Sequence, residues 1–136
     1  MKLIKNIKKL VNNNTQIISK GRWVNLKFIL GVDAEDFIFK INCGKIVSIE
    51  KRTVDTKTGL FKISASLISW KKHWLHIPPR DYHDLFAMLS KKIVKIDGNI
   101  LPLMQNLQFF KDLIASNREK KVNEQYKIRK HIRKIF

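Results

Sequence analysis

"DFIFKINCGKIVSIEK", residues 36–51, decides the fold class. Phe37, Phe39 and Ile41 alternate with Ile38 and Lys40, the two-residue period of a strand with one face toward a core. The "NCG" segment supplies a turn, because Gly44 takes positive φ without a Cβ clash. "KIVSIEK" is the return strand. A lone hairpin is marginal in water, so the rest of the chain must supply further strands or a helical cover.

It supplies both. Upstream, "RWVNLKFILGV" places Val24, Leu26, Phe28 and Leu30 on one side of a strand. Downstream, "VDTKTG" is a polar connection, and "LFKISASLIS" is a fourth strand with Phe61, Ile63, Ala65 and Leu67 on one side. "KIVKI" is a short fifth strand, ended by the Asp97-Gly98-Asn99 turn. Three segments change to helical period. In "KLIKNIKKLV", Leu3, Ile4, Ile7, Leu10 and Val11 share a face, and the Asn run 12–14 is a stop. In "RDYHDLFAMLSKK", Tyr82, Leu85, Phe86 and Leu89 fall at i, i+3, i+4 and i+7, downstream of Pro78 and Pro79, which block extension. "LPLMQNLQFFKDLIASN" predicts one long helix with Leu103, Leu107, Phe110 and Ile114 on a face. Beyond Asn117, Val122, Tyr126 and Ile132 support only a marginal helix.

The order helix, four strands in meander-like succession, helix, strand, helix, tail predicts an α+β fold. The expected architecture is a five-stranded, largely antiparallel sheet covered on one face by helices, with an N-terminal amphipathic helix and a basic C-terminal tail. Residues 1–116 form the expected domain and 117–136 the tail. A length of 136 residues suits one domain with one core.

The formal charge is +17 and sits mostly at the ends. Residues 1–22 carry six basic residues and no acid, and residues 117–136 carry eight basic and two acidic ones. Basic ends on a nearly balanced centre suit a polyanionic partner, a membrane or a nucleic acid, although a Lys-rich composition alone also produces them. The single cysteine, Cys43, excludes an intramolecular disulfide and a multi-cysteine zinc site. No run of 18 apolar residues is present, and the Lys-interrupted N-terminus is a poor secretory signal, so a cytoplasmic location is expected.

The element order resembles the sterol carrier protein type 2 domain. "DFIFKINCGKIVSIEK" looks like that family's hairpin, and "FKISASLISWKKHW" like its fourth strand running into a helical stretch. "KKIVKIDGNILPLMQNLQFFKDLI" is similar to its strand, turn and amphipathic closing helix, although the family's Gly-Asp-like turn reads Gly98-Asn99 here. The resemblance covers residues 23–116. It implies a nonenzymatic apolar site between sheet and helices for an acyl chain, a sterol-like molecule or an isoprenoid quinone, with no cofactor. It also implies an accessory role in lipid or quinone metabolism. The terminal "RKIF" departs from a peroxisomal address, and the basic tail lies outside the resemblance.

"SWKKHWLHIPPRDYHD", residues 69–84, is the chemically richest stretch. A zinc site needs His73, His76 and His83 to converge, but Lys71 and Lys72 repel a cation and no HExxH-type spacing occurs. A hydrolase needs a nucleophile, and Ser66, Ser69 and Ser90 lack a glycine elbow. An apolar reading uses more of the residues. Trp70 and Trp74, four apart, share a helical face, with Leu67 leading in. Leu85, Met88 and Leu89 on the next helix, and Met104, Leu107 and Phe110 on the last, form opposing walls. Residues of this kind are more often plain core than pocket lining, and spacing alone leaves both open. Arg80, Lys71 or Lys72 would meet an anionic headgroup, and Asp81 or Asp84 would cap a helix.

The N-terminal helix either packs on the sheet or lies on an anionic membrane, with the tail as a further membrane contact. The alternative function is nucleic-acid binding through "NREKKVNEQYKIRKHIRK", where Tyr126 would stack on a base.

Overall fold

A computed structural model describes residues 2–53 and 59–119. The elements are α1 (Lys2–Asn12), α2 (Thr15–Lys20), β1 (Asn25–Val32), β2 (Glu35–Asn42), β3 (Lys45–Lys51) and β4 (Phe61–Ala65). They continue with α3 (Leu67–His73), α4 (Leu85–Ser90), β5 (Lys95–Gly98), α5 (Leu101–Gln105) and α6 (Leu107–Ala115). The five strands make one sheet in the order β3-β2-β1-β4-β5.

The hairpin forms as its sequence dictates. Cys43 and Gly44 take φ of 51° and 80°, the doubly positive turn that matches the twist of the paired strands. A Cβ on Gly44 would lie 2.6 Å from the Ile18 carbonyl oxygen, so α2 packs where only glycine leaves room. Phe39 pairs with Ile49 and Ile41 with Ile46, with a register shift after Lys40. The shift leaves Val47 outside the ladder and keeps Ile46 and Ile49 both buried.

The first three strands meander, but the fourth does not continue the run. β4 returns to the free edge of β1 and pairs with it in parallel, Ile29 with Lys62 through Val32 with Ala65. This sets Phe61 and Ile63 beside Phe28 and Leu30, completing an aromatic core. Phe28 lies 4.9 Å from Phe39, 5.4 Å from Phe61 and 5.4 Å edge-on from Phe110, between ring centroids. Alternation in a sequence assigns a face to each residue but says nothing of which strand lies beside which. The remaining sheet pairs are antiparallel.

Helices cover the face that carries Phe28, Leu30, Phe37 and Phe39. α1 buries Ile4, Ile7 and Val11 and leaves Lys2, Lys5, Lys8 and Lys9 exposed, so its apolar stripe packs on the sheet. Asn12 fixes it there: its side chain donates to the Ile46 carbonyl at 2.9 Å and accepts the Ile46 N–H at 2.8 Å. The Asn run does stop α1, and Asn14 then caps α2 by accepting from the Gln16 and Ile17 amides. The opposite face is largely polar, with Asp36 accepting from both Arg52 and Lys62.

Three further elements differ from their sequence reading. Leu67 opens α3 instead of ending the fourth strand, because the Ser66 hydroxyl caps the helix at the Ser69 amide. The helix expected over 80–92 is only α4, since Asp81 takes φ of 73° and Asp84 is the cap. The long closing helix breaks at Asn106 into α5 and α6. The connection 54–58 and the tail from 120 onward, including Val122, Tyr126 and Ile132, lie outside the described residues.

Candidate functional site

The tryptophans anchor α3 to two other elements. Trp70 is fully buried, and its indole N–H donates to the Gly31 carbonyl on β1 at 2.9 Å. Trp74 stacks on Trp70 with 5.8 Å between ring centroids and donates to the Ile114 carbonyl on α6 at 2.8 Å. Both therefore bury large apolar rings with their one polar atom paired, the arrangement that makes a buried indole stable. Phe110 occupies the same core, 5.2 Å from Phe61 and 5.1 Å from Phe109.

His73 and His83 border one small hollow and His76 another. His73 is buried, and its Nδ1 lies 2.7 Å from the Tyr82 carbonyl, which requires Nδ1 to carry the proton. The Arg118 guanidinium at 3.2 Å cannot donate to that nitrogen as well; it donates instead to the backbone carbonyls of His73 and His83. His73 Nε2 is buried and has no hydrogen-bond partner among the described residues. Burial pushes the His73 pKa below its ordinary value, with the Tyr82 bond opposing, and the charge on Arg118 pushes it lower still. His76 meets the Glu119 carbonyl at 3.0 Å, and His83 is exposed.

Asp84 caps α4 through the Phe86 and Ala87 amides and pairs with Lys111 at 3.0 Å. Burial works to raise its carboxyl, but Lys111 and the two amides outweigh it, so its pKa falls below the ordinary carboxylate value. The connection between α3 and α4 is thus held by Lys111 on α6 and by the residues that follow that helix. Asn117 donates to the Leu3 carbonyl, Arg118 grips the 73–83 carbonyls, and the Glu119 amide donates to the Trp74 carbonyl. Ordered contacts run through Glu119, into the segment read as tail.

The nine residues expected to line a ligand site are distributed unequally. Trp70, Trp74, Leu85, Met88 and Phe110 join in the closely packed core, with Leu67 partly buried against it. Leu107 is half-buried on α6, and Met104 is half-exposed on α5, away from that wall. Leu89 alone of the nine borders an apolar hollow of about 370 Å³, together with Val94 and Ile96, rimmed by Lys92, Lys95 and Asp97. This hollow lies between α4 and the edge strand β5, and its volume falls within the range of ligand pockets. Val94, Ile96 and the two lysines were missed as site residues because they read as an ordinary short strand and turn. A second hollow of about 510 Å³, between α2 and the end of α6, is more polar and is lined by Gln16, Lys20, His76, Asp112 and Arg118 among others.

Among the described residues no helix is long and apolar enough to cross a membrane. The segment on which nucleic-acid binding would rest lies largely beyond Glu119, and nothing in the fold or the comparisons supports that alternative.

No family model matches the chain, and no curated protein matches it in sequence. Solved structures do match in fold. A sterol carrier protein 2 crystal structure superposes with a TM-score of 0.68 at 14% identity, over 87% of this chain and 95% of its own. A possible sterol carrier protein from Thermus thermophilus gives 0.61 at 10% identity, over 88% and 91%. A ubiquinone synthesis protein, UbiJ-SCP2, gives 0.54 at 12% identity, over 85% and 92%. The shared features are those built above: a mostly antiparallel five-stranded sheet, its one parallel pair, and a helical cover on one face. The chain has the fold of the sterol carrier protein 2 domain.

Proposed function

We propose that this chain binds an apolar lipid without catalysing a reaction on it, and carries or presents that lipid. The observation that supports this most is the fold match over nearly the whole length of proteins named for sterol carriage and ubiquinone synthesis. A fold alone hosts many activities, so the reading also needs a place for the ligand. The hollow between α4 and β5 offers one. Leu89, Val94 and Ile96 give it an apolar floor, and Lys92 and Lys95 set two cations at its mouth. An acyl or prenyl chain would lie along Leu89, Val94 and Ile96. Burying ~12 methylenes is worth roughly 10 kcal/mol before ordering costs, so affinity needs no polar anchor. The lysines would orient an anionic or carbonyl-bearing head toward solvent.

Native mass spectrometry of freshly purified protein, with extraction and identification of any retained lipid, tests the proposal. The expected result is a lipid adduct that Leu89→Trp removes by filling the hollow, with the urea midpoint little changed. Protein that is always empty and takes up neither added fatty acid nor quinone would refute carriage. Adducts that persist in Leu89→Trp would place the lipid elsewhere.

A further inference from the structure

One end of the sheet carries a concentration of exposed apolar side chains that the core does not use. Trp23, just ahead of β1, is 82% exposed. Leu60, just ahead of β4, is 45% exposed, and Ile100, Leu101 and Met104 at the start of α5 are 46%, 58% and 49% exposed. The topology brings them together. The Leu60 amide donates to the Lys27 carbonyl on β1, and the Leu60 carbonyl accepts the Asn99 amide at 2.8 Å, so the chain enters α5 directly beside Leu60. The Met104 amide bonds to the Ile100 carbonyl, which places those two side chains one above the other on one face of α5. Trp23 lies in the turn just ahead of β1, at the same end of the sheet. Large apolar side chains left exposed together at one end of a domain mark a surface for interaction.

The charges at the same end identify the cover. Arg22, Lys27, Lys40 and Lys45 are all exposed there, against Asp97 as the acid. Lys27 and Lys40 stand directly opposite each other in the β1–β2 ladder, a like-charge pair that is unfavourable until an anion approaches. Among the described residues neither has an ion-pair partner. The Arg22 guanidinium lies 5.9 Å from the Trp23 ring, the indole-with-cation arrangement suited to a bilayer interface. An indole at the tip, aliphatic groups behind it and a collar of lysines together match an anionic bilayer.

We infer that this end of the sheet, formed by Trp23, Leu60, Ile100, Leu101 and Met104 within a collar of Arg22, Lys27, Lys40 and Lys45, docks onto the surface of anionic membranes. The inference rests on the lipid-carrier reading, since a carrier must meet the bilayer from which it loads. It assigns the contact to the sheet end and α5, not to α1, whose apolar stripe is already buried.

The test uses the full chain with vesicles of phosphatidylcholine containing a minor share of phosphatidylglycerol, and with pure phosphatidylcholine. Trp70 and Trp74 are buried, so acrylamide quenching reports chiefly on Trp23. Anionic vesicles are expected to shield that indole, pure phosphatidylcholine to shield it much less. Trp23→Ser and the double variant Leu101→Ser/Met104→Ser should each weaken vesicle co-sedimentation by about tenfold or more, the effect of losing one well-buried apolar group. Co-sedimentation with Trp23 still open to acrylamide would overturn the inference and assign docking to the basic tail. So would shielding that rises with protein concentration in the absence of vesicles, which would mark a self-association surface. If the double variant loses docking but keeps its lipid adduct, docking and carriage are separate properties and this inference stands. If the adduct is absent from all variants while docking persists, the carrier reading falls and the docking face remains.

Discussion

Replacing Trp70 with Phe separates an indole that fills and fastens the core from one that lines a ligand site. The substitution keeps an aromatic ring between α3 and the sheet but removes the N–H that reaches Gly31 at 2.9 Å. A buried carbonyl left without its donor costs about 1–3 kcal/mol. The smaller ring leaves space worth roughly two methylene equivalents, about 1.5 kcal/mol at the usual ~0.8 per group. The sum is about 3 kcal/mol, which at an m-value of ~1.5–3 kcal/mol/M lowers the urea midpoint by about 1–2 M. Circular dichroism on delipidated protein is the suitable assay, because fluorescence loses its own probe. Trp23→Phe is the control: that indole is exposed, and its replacement should leave the midpoint within about 0.5 kcal/mol. A Trp70→Phe midpoint equal to the wild type, with lipid binding lost, would refute the fastening role and restore Trp70 as a pocket wall.

Two further outcomes follow from the geometry. His73 is held below its ordinary pKa by burial, so the unfolded chain takes up a proton that the folded one refuses. Its contribution to stability is complete above about pH 6.5 and is lost as pH falls below that value, by at most about 1.4 kcal/mol per pH unit. Urea midpoints at pH 7 and pH 5 should therefore converge in His73→Asn relative to the wild type, and an unchanged gap would rule out His73 as its source. Gly44→Ala must hold a Cβ at φ of 80° and 2.6 Å from the Ile18 carbonyl oxygen. It should cost about 1–3 kcal/mol by the same assay, while a neutral result would mean that α2 shifts freely off the hairpin.

The sheet was legible wherever a strand's alternation was closed by turn chemistry. Phe37, Phe39 and Ile41 are buried as their period requires, and Cys43-Gly44 turns the hairpin. What the period does not encode is adjacency. The parallel seat of β4 on β1 depends on Phe61 and Ile63 completing a core with Phe28 and Leu30, a preference visible only once the sheet exists. Of the short caps, Asp84 was legible as one of two candidates with Asp81, while Asn14 and Ser66 were not. Asn14, Ser66 and Asp84 each start a helix through one side-chain oxygen, and each reset a boundary that hydrophobic spacing alone placed elsewhere. The site followed the same division. Trp70 and Trp74 do share a helical face, but their partners are carbonyls some forty residues away along the chain. The hollow between α4 and β5 arises because Lys92, at φ of 61°, turns the chain sharply between Leu89 and Val94, and nothing in a lysine announces that conformation.

Where the polypeptide stops being dispensable follows from Arg118. Its guanidinium and the amide after it fasten the loop that joins the two central helices, and Asn117 secures the first helix by the Leu3 carbonyl. A chain shortened to Ser116 therefore forfeits all of these fastenings at once and should be a poorer folder. One shortened to Glu119 keeps them, so any contribution of residues 120–136 can be separated from these fastenings.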